Sequence, residues 1–537
     1  MMPKKKPRID LSSSEFAHYI EKKLLYVDKS MFIEHFMDNP SKVLLITRPR
    51  RMGKSLNMNM LAEFLDCQKN SGHLFKGLKI EKRKMFKEHL NKYPVVYLTF
   101  KNLHIDDYKL SIKQMFIDAA DKYIPKEKRT AFVKDFITNK KNVQVMGIRY
   151  ILQNISEVYG KNPVVLIDEY DKILMDNIKS KEYENLRNYI SGVFNSGFKD
   201  NPYLHKALLT GVLRISQESI FSNLNNVEVF DVFAKSEFDE DFGLTEKEVK
   251  ALVEPKDFKI VKRWYDGIRV GNSYVFYIYS VMYFLSKGEI SNYWGQSGTI
   301  NLLGDLLTQS KALCLGEAVK KFGNTFTTEL DPRVSLKELF SDKEDKYYYA
   351  LAVQAGYLAW SEAAGSKPGK RLYKLCVPNE ELMMVWEEYI LSSIVKKAEQ
   401  SRLAEAFEEI EDTEYFGKEL TELLSYKLSY FDLHDNLEKT YHGFVLGLMV
   451  ALGFDVRSNN SAGAGRYDLF IETKKWTAVV EFKVSKTARG IKEAIKDALA
   501  QIERKKYLAS ASKKKPAYAI GVGVHKNDAE VLCERAW

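Results

Sequence analysis

The chain has few cysteines, no long apolar run and no internal repeat, and each absence narrows its class. Four cysteines, Cys67, Cys314, Cys376 and Cys533, are scattered over 537 residues with no CxxC pair. That spacing argues against a zinc site and for a reducing cytosol, so a cytoplasmic setting is expected. No run of 18 or more apolar residues occurs, so no membrane-spanning helix and no membrane partner are expected. Met1 to Ile9 is basic but lacks the apolar core of a signal peptide. Neither a repeat nor a low-complexity tract is present. The net charge of +10 is a mild basic bias at this length, compatible with nucleic acid but not diagnostic of it. The clusters Lys4-Lys5-Lys6 and Lys513-Lys514-Lys515 read as a solvated tail and a solvated loop. With 45% hydrophobic residues, the chain has material for about three domains.

One further absence is local. Val43 to Thr47 is an apolar run that reads as a buried strand, and Leu56 to Leu65 has helix-forming composition. Between them lies Arg48-Pro49-Arg50-Arg51-Met52-Gly53-Lys54-Ser55. Strand, loop and helix N-terminus in that order suit a phosphate-binding loop of the GxxxxGK[ST] type. Its first glycine falls at Arg48, so the chain must turn there without a φ > 0 glycine. Backbone N–H groups of the loop and the helix dipole would face the phosphates of ATP. Lys54 would reach the β- and γ-phosphates and the Ser55 hydroxyl would ligate Mg²⁺. Residues Arg48 to Leu56 are therefore the expected nucleotide cradle, and the three arginines are expected to stand in partly for missing glycine N–H contacts.

Val164 to Ile167 is a second buried-strand run, and it delivers Asp168 and Glu169. Ligands of open α/β sheets sit at the strands' carboxyl ends. Asp168 suits Mg²⁺, held directly or through water, and Glu169 suits polarising the attacking water. Val95 to Phe100 and Ala207 to Thr210 are further strands, and helical patterns such as Met146 to Tyr159 separate them. Strands alternating with helices imply a parallel sheet covered on both faces. Thr210 stands where a strand-end residue sensing the γ-phosphate is expected, or is simply a capping threonine. Arg214 could contact a phosphate, pair with an acid or lie on the surface.

From about Lys235 the apolar spacing turns helical, and Thr245 with Glu248 forms a capping signature. Val377-Pro378 marks a break before the helical stretch Leu382 to Leu423. The last hundred residues have an order of their own. A helix is expected from Asn436 to Leu452, with Glu438 and His442 at i, i+4. Tyr467 to Glu472 and Thr477 to Val484 read as two strands of one hairpin, with Asp468 and Glu481 thirteen residues apart. Glu481 and Lys483 project from the same face of their strand. A charged pair among Val479, Val480, Phe482 and Val484 is costly unless it is paired or binds metal.

Tyr26-Val-Asp-Lys-Ser30, Thr47 to Ser55, Leu166-Ile-Asp-Glu-Tyr-Asp171, Leu209-Thr-Gly-Val212 and Gln354-Ala-Gly-Tyr-Leu358 together resemble the bacterial AAA-ATPase-like family, whose members carry a C-terminal PD-(D/E)XK nuclease-superfamily domain. That family's own loop reads R-P-R-R-x-G-K-S. Where it usually has Tyr-Asn-Gly-Tyr, this chain has Tyr265-Asp266-Gly267-Ile268. The resemblance implies that Asp468 and Glu481 bind Mg²⁺ or Mn²⁺. Lys483 would orient or help deprotonate the attacking water. Glu438 would be the acid on the preceding helix, and Gln501 and Tyr507 the polar pair on the following one.

The expected fold is α/β. A P-loop NTPase domain spans 1–235, a helical lid or subdomain 236–376, a helical linker 377–430 and a restriction-endonuclease-like α/β domain 431–537. The expected function is an ATPase coupled to a metal-dependent nuclease, with DNA ahead of RNA as the partner and a homo-oligomer left open. The rival readings are a nucleotide-switched regulatory or scaffold protein whose nuclease-like domain binds without cutting, and a P-loop kinase.

Overall fold

The computed structural model describes residues 8–139, 143, 145–215, 224, 226–294, 325–332, 345–362, 372–386, 406–407, 409–428, 445, 455–458, 461–462, 465–473, 475–511, 514–525 and 528–537. Glu438 and His442, and with them nearly all of the expected helix Asn436 to Leu452, lie outside the described residues. The chain packs as two units, Met1–Gly298 with Thr327–Glu381, and Thr299–Phe326 with Leu382–Trp537.

In the first unit, β1 (Val43–Thr47), β2 (Val95–Thr99), β3 (Val164–Asp168), β4 (Lys206–Gly211) and β5 (Val227–Phe230) form one sheet in the order β2-β3-β4-β1-β5. Every pairing in it is parallel. Strands β1, β3 and β4 are buried along their whole length, which is why they read as unbroken apolar runs. Helices Lys54–Leu65, Met146–Tyr159 and Tyr183–Phe198 alternate with them. β5, Val-Glu-Val-Phe, is only four residues long and half-buried, too short to leave a clear periodic signal. Strand order positions the chemistry. β4 lies between β1 and β3, so the carboxyl end carrying Thr210 stands between the loop after β1 and the acids after β3.

Thr245 caps the helix Glu246–Leu252, and its hydroxyl and the Glu248 carboxylate close the capping box expected from their spacing. The same region carries β6 (Leu244–Thr245), β7 (Ile268–Val270) and β8 (Ser273–Phe276) in one small sheet, and β9 (Phe326–Glu329), β10 (Ala359–Glu362) and β11 (Leu372–Cys376) in another. With two to five residues each, these strands are masked by the helical spacing around them. Tyr26-Val-Asp-Lys-Ser30 acts as a staple. Asp28 accepts from the Ser30 and Lys79 N–H groups, and the Lys29 ammonium donates to Glu240 O and to Glu248.

In the second unit, β12 (Asp455–Ser458), β15 (Leu469–Glu472), β16 (Thr477–Val484), β17 (Ala517–His525) and β18 (Asp528–Arg535) form a sheet in that order, beside a short hairpin of β13 (Ser461–Ala462) and β14 (Gly465–Arg466). β16 and β17 are parallel and the other neighbours antiparallel. A parallel pair needs a crossover, and the helix Ile491–Lys505 supplies it. Its Ile491, Ile495, Leu499 and Ile502 pack with Phe470 and Val479 on one face of the sheet. Phe416, Leu420 and Leu424 of the helix Thr413–Leu428 pack with Val480, Phe482 and Ile520 on the other.

Candidate nucleotide and nuclease sites

The loop after β1 leads into a helix that begins at Lys54. Gly53 adopts φ 85° as its N-cap, and Arg51 adopts φ 64°. Besides Gly53, the left-handed residue of the loop is therefore Arg51, not Arg48 where the glycine was missed. A bulky residue there stores strain of roughly 1–3 kcal/mol. Glu169 is held at φ 55°, so both loops that would face a nucleotide carry one strained residue.

The three arginines are used differently. Arg48 is fully buried; its guanidinium donates to the carbonyls of Thr47, Phe230 and Phe238. Burial pulls its pKa down to about 10, against the pull of Asp239, Asp231 and Asp241. It therefore braces β1 against β5 and the segment after it. Arg51 lies 3.4 Å above the Tyr279 ring, and its Nη1 is buried with no hydrogen-bond partner among the described residues. Arg50 is half-buried and its charge opposes that of Lys54. Pro49 and Met52 are buried, while Ser55 and Leu56 are half-buried on the first turn of the helix.

The Lys54 ammonium is buried and donates to Arg48 O at 2.8 Å and Pro49 O at 2.7 Å. Burial lowers its pKa to about 8, with Asp171, Asp168 and Glu169 opposing that fall. Asp168 accepts the Thr210 hydroxyl at 2.7 Å. Glu169 has a raised pKa, first through burial and then through Asp168. Lys54, Asp168, Glu169 and Thr210 thus belong to one electrostatic neighbourhood. Arg214 takes the acid-pairing option and reaches Asp231 at 2.8 Å. Residues left without a role by the sequence complete the setting. Asp171 accepts from the Val212 and Leu213 N–H groups, both at 2.8 Å. It was visible only as the last residue of Leu166–Asp171.

In the second unit, β16 passes through the middle of its sheet. Glu481 is buried at 2% exposure on the face that Val479 shares. Asp468, just before β15, accepts from the Phe482 N–H at 2.9 Å, and its own N–H lies 3.4 Å from Glu481 Oε2. Lys483 Nζ lies 3.4 Å from Glu481 Oε1. The Gln501 amide donates to the same carboxylate and lies 3.3 Å from the Tyr507 hydroxyl. Burial, and then Asp468, raises the Glu481 pKa to about 7.

Two glycines bring the helix to that carboxylate. Gly521 pairs with Glu481 and Gly523 with Lys483. A Cβ on Gly521 would sit 2.9 Å from Ile495 O, and one on Gly523 2.6 Å from Ile491 O. Only glycine lets the helix Ile491–Lys505 lie this close to β17, and that approach carries Gln501 to Glu481. Asp468, Glu481 and Lys483 therefore come together, while Glu438 is outside the described residues. Among the described residues no three His, Cys, Asp or Glu side chains form a metal-binding group; the second site offers two carboxylates. No described helix is long and apolar enough to cross a membrane.

Residues 11–221 match the family described as predicted AAA-ATPase. Residues 436–534 match the PD-(D/E)XK nuclease superfamily. A protein of Azotobacter chroococcum mcd 1, "Uncharacterized protein in vnfD 5'region", is 26% identical over 547 residues and covers 94% of each chain. The solved ORC2 protein of Aeropyrum pernix, in ADPNP–ADP complexes, aligns at a TM-score of 0.23 and 10% identity over 72% of this chain and 96% of that one. The chain joins a predicted AAA-ATPase family segment at residues 11–221 to a PD-(D/E)XK nuclease-superfamily segment at residues 436–534.

Proposed function

We propose that this protein hydrolyses ATP at the first site and cleaves nucleic acid, DNA ahead of RNA, at the second. The observation that carries the reading is Glu481, a carboxylate buried in the central strand with Asp468, Lys483 and Gln501 gathered on it. A group so costly to bury needs a task, and two hard oxygen donors beside an ammonium suit metal-assisted phosphodiester hydrolysis.

The residues fit the groups this reading needs. At the first site, a buried ammonium held only by carbonyls and the orphaned Arg51 Nη1 both lack an anionic acceptor, which a triphosphate provides. Lys54 would exchange its two carbonyl partners for phosphate oxygens. Ser55 and Asp168 are the oxygen donors for Mg²⁺, with Thr210 holding the Asp168 carboxylate. Glu169, with its raised pKa, accepts a proton from water more readily than an ordinary glutamate. At the second site Asp468 and Glu481 would hold Mg²⁺ or Mn²⁺, and the cation would supply Lewis-acid charge at the scissile phosphate. Gln501 fixes the Glu481 carboxylate, and Lys483 places a positive charge where the pentavalent phosphate gains negative charge.

The partner is read from charge. Between Lys483 and Lys496 stand Lys483, Lys486, Arg489, Lys492 and Lys496 against the single acid Glu493. Lys486, Arg489, Lys492 and Lys496 are exposed. The turn that presents them is fixed by Ser485 donating to Thr487 O and Thr487 accepting from the Gly490 N–H. A basic strip directly after the catalytic strand suits a phosphate backbone. A cytoplasmic setting, where ATP, Mg²⁺ and nucleic acid occur together, belongs to the same proposal.

The test measures ATP turnover and cleavage of single- and double-stranded DNA and RNA with Mg²⁺ or Mn²⁺. Parent protein should do both. Lys486→Glu with Arg489→Glu should weaken nucleic-acid binding and make it less sensitive to salt, the log–log slope falling by about 1 for each phosphate no longer neutralised. A parent that binds but never cuts, with any metal, would leave the scaffold reading in its place.

A further inference from the structure

We infer that Asp171 is a positioning residue for nucleotide turnover, clamping the loop after β4 so that Thr210 stays on Asp168. The inference rests on the ATP reading of the first site and adds a residue that the reading does not use.

Asp171 follows Asp168 and Glu169 and shares their pull on the Lys54 charge, but its hydrogen bonds run to the loop after β4. It is 2% exposed, and one of its oxygens accepts from two consecutive backbone N–H groups, Val212 and Leu213, at 2.8 Å each. Tyr170, fully buried, adds a second grip on the same loop. Its hydroxyl donates to Leu213 O at 2.6 Å and accepts from the Ile215 N–H at 3.3 Å. Its own N–H donates to Thr210 O at 3.0 Å. The residue between Thr210 and the clamped pair is Gly211. A Cβ there would lie 2.6 Å from Asp171 Oδ1 and 2.7 Å from the Tyr170 ring, so only glycine allows the loop to seat on Tyr170 and Asp171.

The loop is also tied to the phosphate-binding segment. Gly211 O accepts the Arg48 N–H at 3.1 Å. Arg214 N–H donates to the buried Gln354 side chain at 2.6 Å, and Gln354 donates to Pro332 O at 2.6 Å. A carboxylate buried this deeply is costly, and its two charge-assisted bonds go to a loop rather than to a ligand. Removing it frees a segment bonded at once to the P-loop, to the acids after β3 and to the helix that carries Gln354. Thr210 is the nearest group able to transmit that loss, since its hydroxyl fixes Asp168.

The test compares Asp171→Asn and Asp171→Ala in the full chain. An asparagine amide oxygen accepts both N–H groups, so Asp171→Asn should rescue the clamp. ATP turnover of Asp171→Asn should stay within about threefold of parent, while Asp171→Ala should lose about tenfold or more in kcat with little change in KM, as expected when catalytic groups lose alignment rather than substrate. Hydrogen exchange supplies a readout independent of turnover. The Val212 and Leu213 amides should be protected in parent and in Asp171→Asn and should exchange faster in Asp171→Ala. Turnover by Asp171→Ala within about twofold of parent, equal loss in both variants, or unchanged protection in Asp171→Ala would overturn the inference. A parent without ATP turnover contradicts the reading of the site instead, and the exchange measurement still decides the clamp.

Discussion

The Thr210 hydroxyl donates to Asp168 Oδ1 across 2.7 Å, joining the end of β4 to the end of β3. Both residues are buried, so Asp168 keeps one orientation without help from solvent. Thr210→Val removes the donor and leaves a buried carboxylate oxygen short of a partner, a loss of about 1–3 kcal/mol. Nucleotide affinity should hold, while turnover should fall about tenfold. Isothermal titration with ATP beside a phosphate-release assay checks both; parallel losses in the two would count against a role in orientation.

Lys54 and Glu169 should separate binding from chemistry. Lys54→Ala removes the buried ammonium and should abolish ATP binding and turnover together. Glu169→Gln keeps shape and hydrogen bonding but cannot take a proton, so it should bind ATP and lose turnover by about 10²-fold or more. Normal hydrolysis by Lys54→Ala would show that the loop is not a phosphate cradle.

Arg48 should behave as a structural residue. Its planar guanidinium reaches three carbonyls at once, a pattern a lysine ammonium does not reproduce. Arg48→Lys should therefore lower stability by about 2 kcal/mol or more, read from urea unfolding. A variant as stable as parent would mean that the buried fork contributes little.

Much of this arrangement was legible in the sequence, and the parts that were not share a physical cause. Apolar runs marked β1, β3 and β4 because strands buried on both faces favour apolar side chains along their length, with polar residues confined to their ends. Glu481 and Lys483 announced themselves by interrupting such a run. The roles of Arg48 and Arg51 were not readable, because four loop residues carry no periodicity and only tertiary packing decides which guanidinium is buried. The roles of Gly521 and Gly523 were not readable either, because their close approach to Ile495 and Ile491 depends on a helix placed by other contacts. Asp171 lay in view, but hydrogen bonds to Val212 and Leu213, some forty residues away, leave no local pattern.

Glu481 predicts a pH signature. Its folded pKa, about 7, lies above the ordinary 4.5. Between those values the native protein holds a proton that the unfolded chain has released, so stability without metal should fall as pH rises through this window and level off above it. A divalent cation needs the carboxylate, so its affinity should rise over the same range. Thermal melts at about pH 5 and pH 8, with and without Mg²⁺, should show metal stabilisation growing toward high pH. Glu481→Gln should flatten both trends; an unchanged metal effect in that variant would place the cation elsewhere.

The central claim is that Asp468, Glu481 and Lys483 form one metal-dependent phosphodiesterase site. Its most direct test is nucleic-acid cleavage by the full chain with Mg²⁺ or Mn²⁺, comparing parent with Glu481→Ala after thermal melts establish that the variant is folded. Parent should cut, and Glu481→Ala should lose about 10²-fold or more of that activity while still binding nucleic acid through the basic strip after β16. Cleavage by Glu481→Ala at the parental rate would contradict the account.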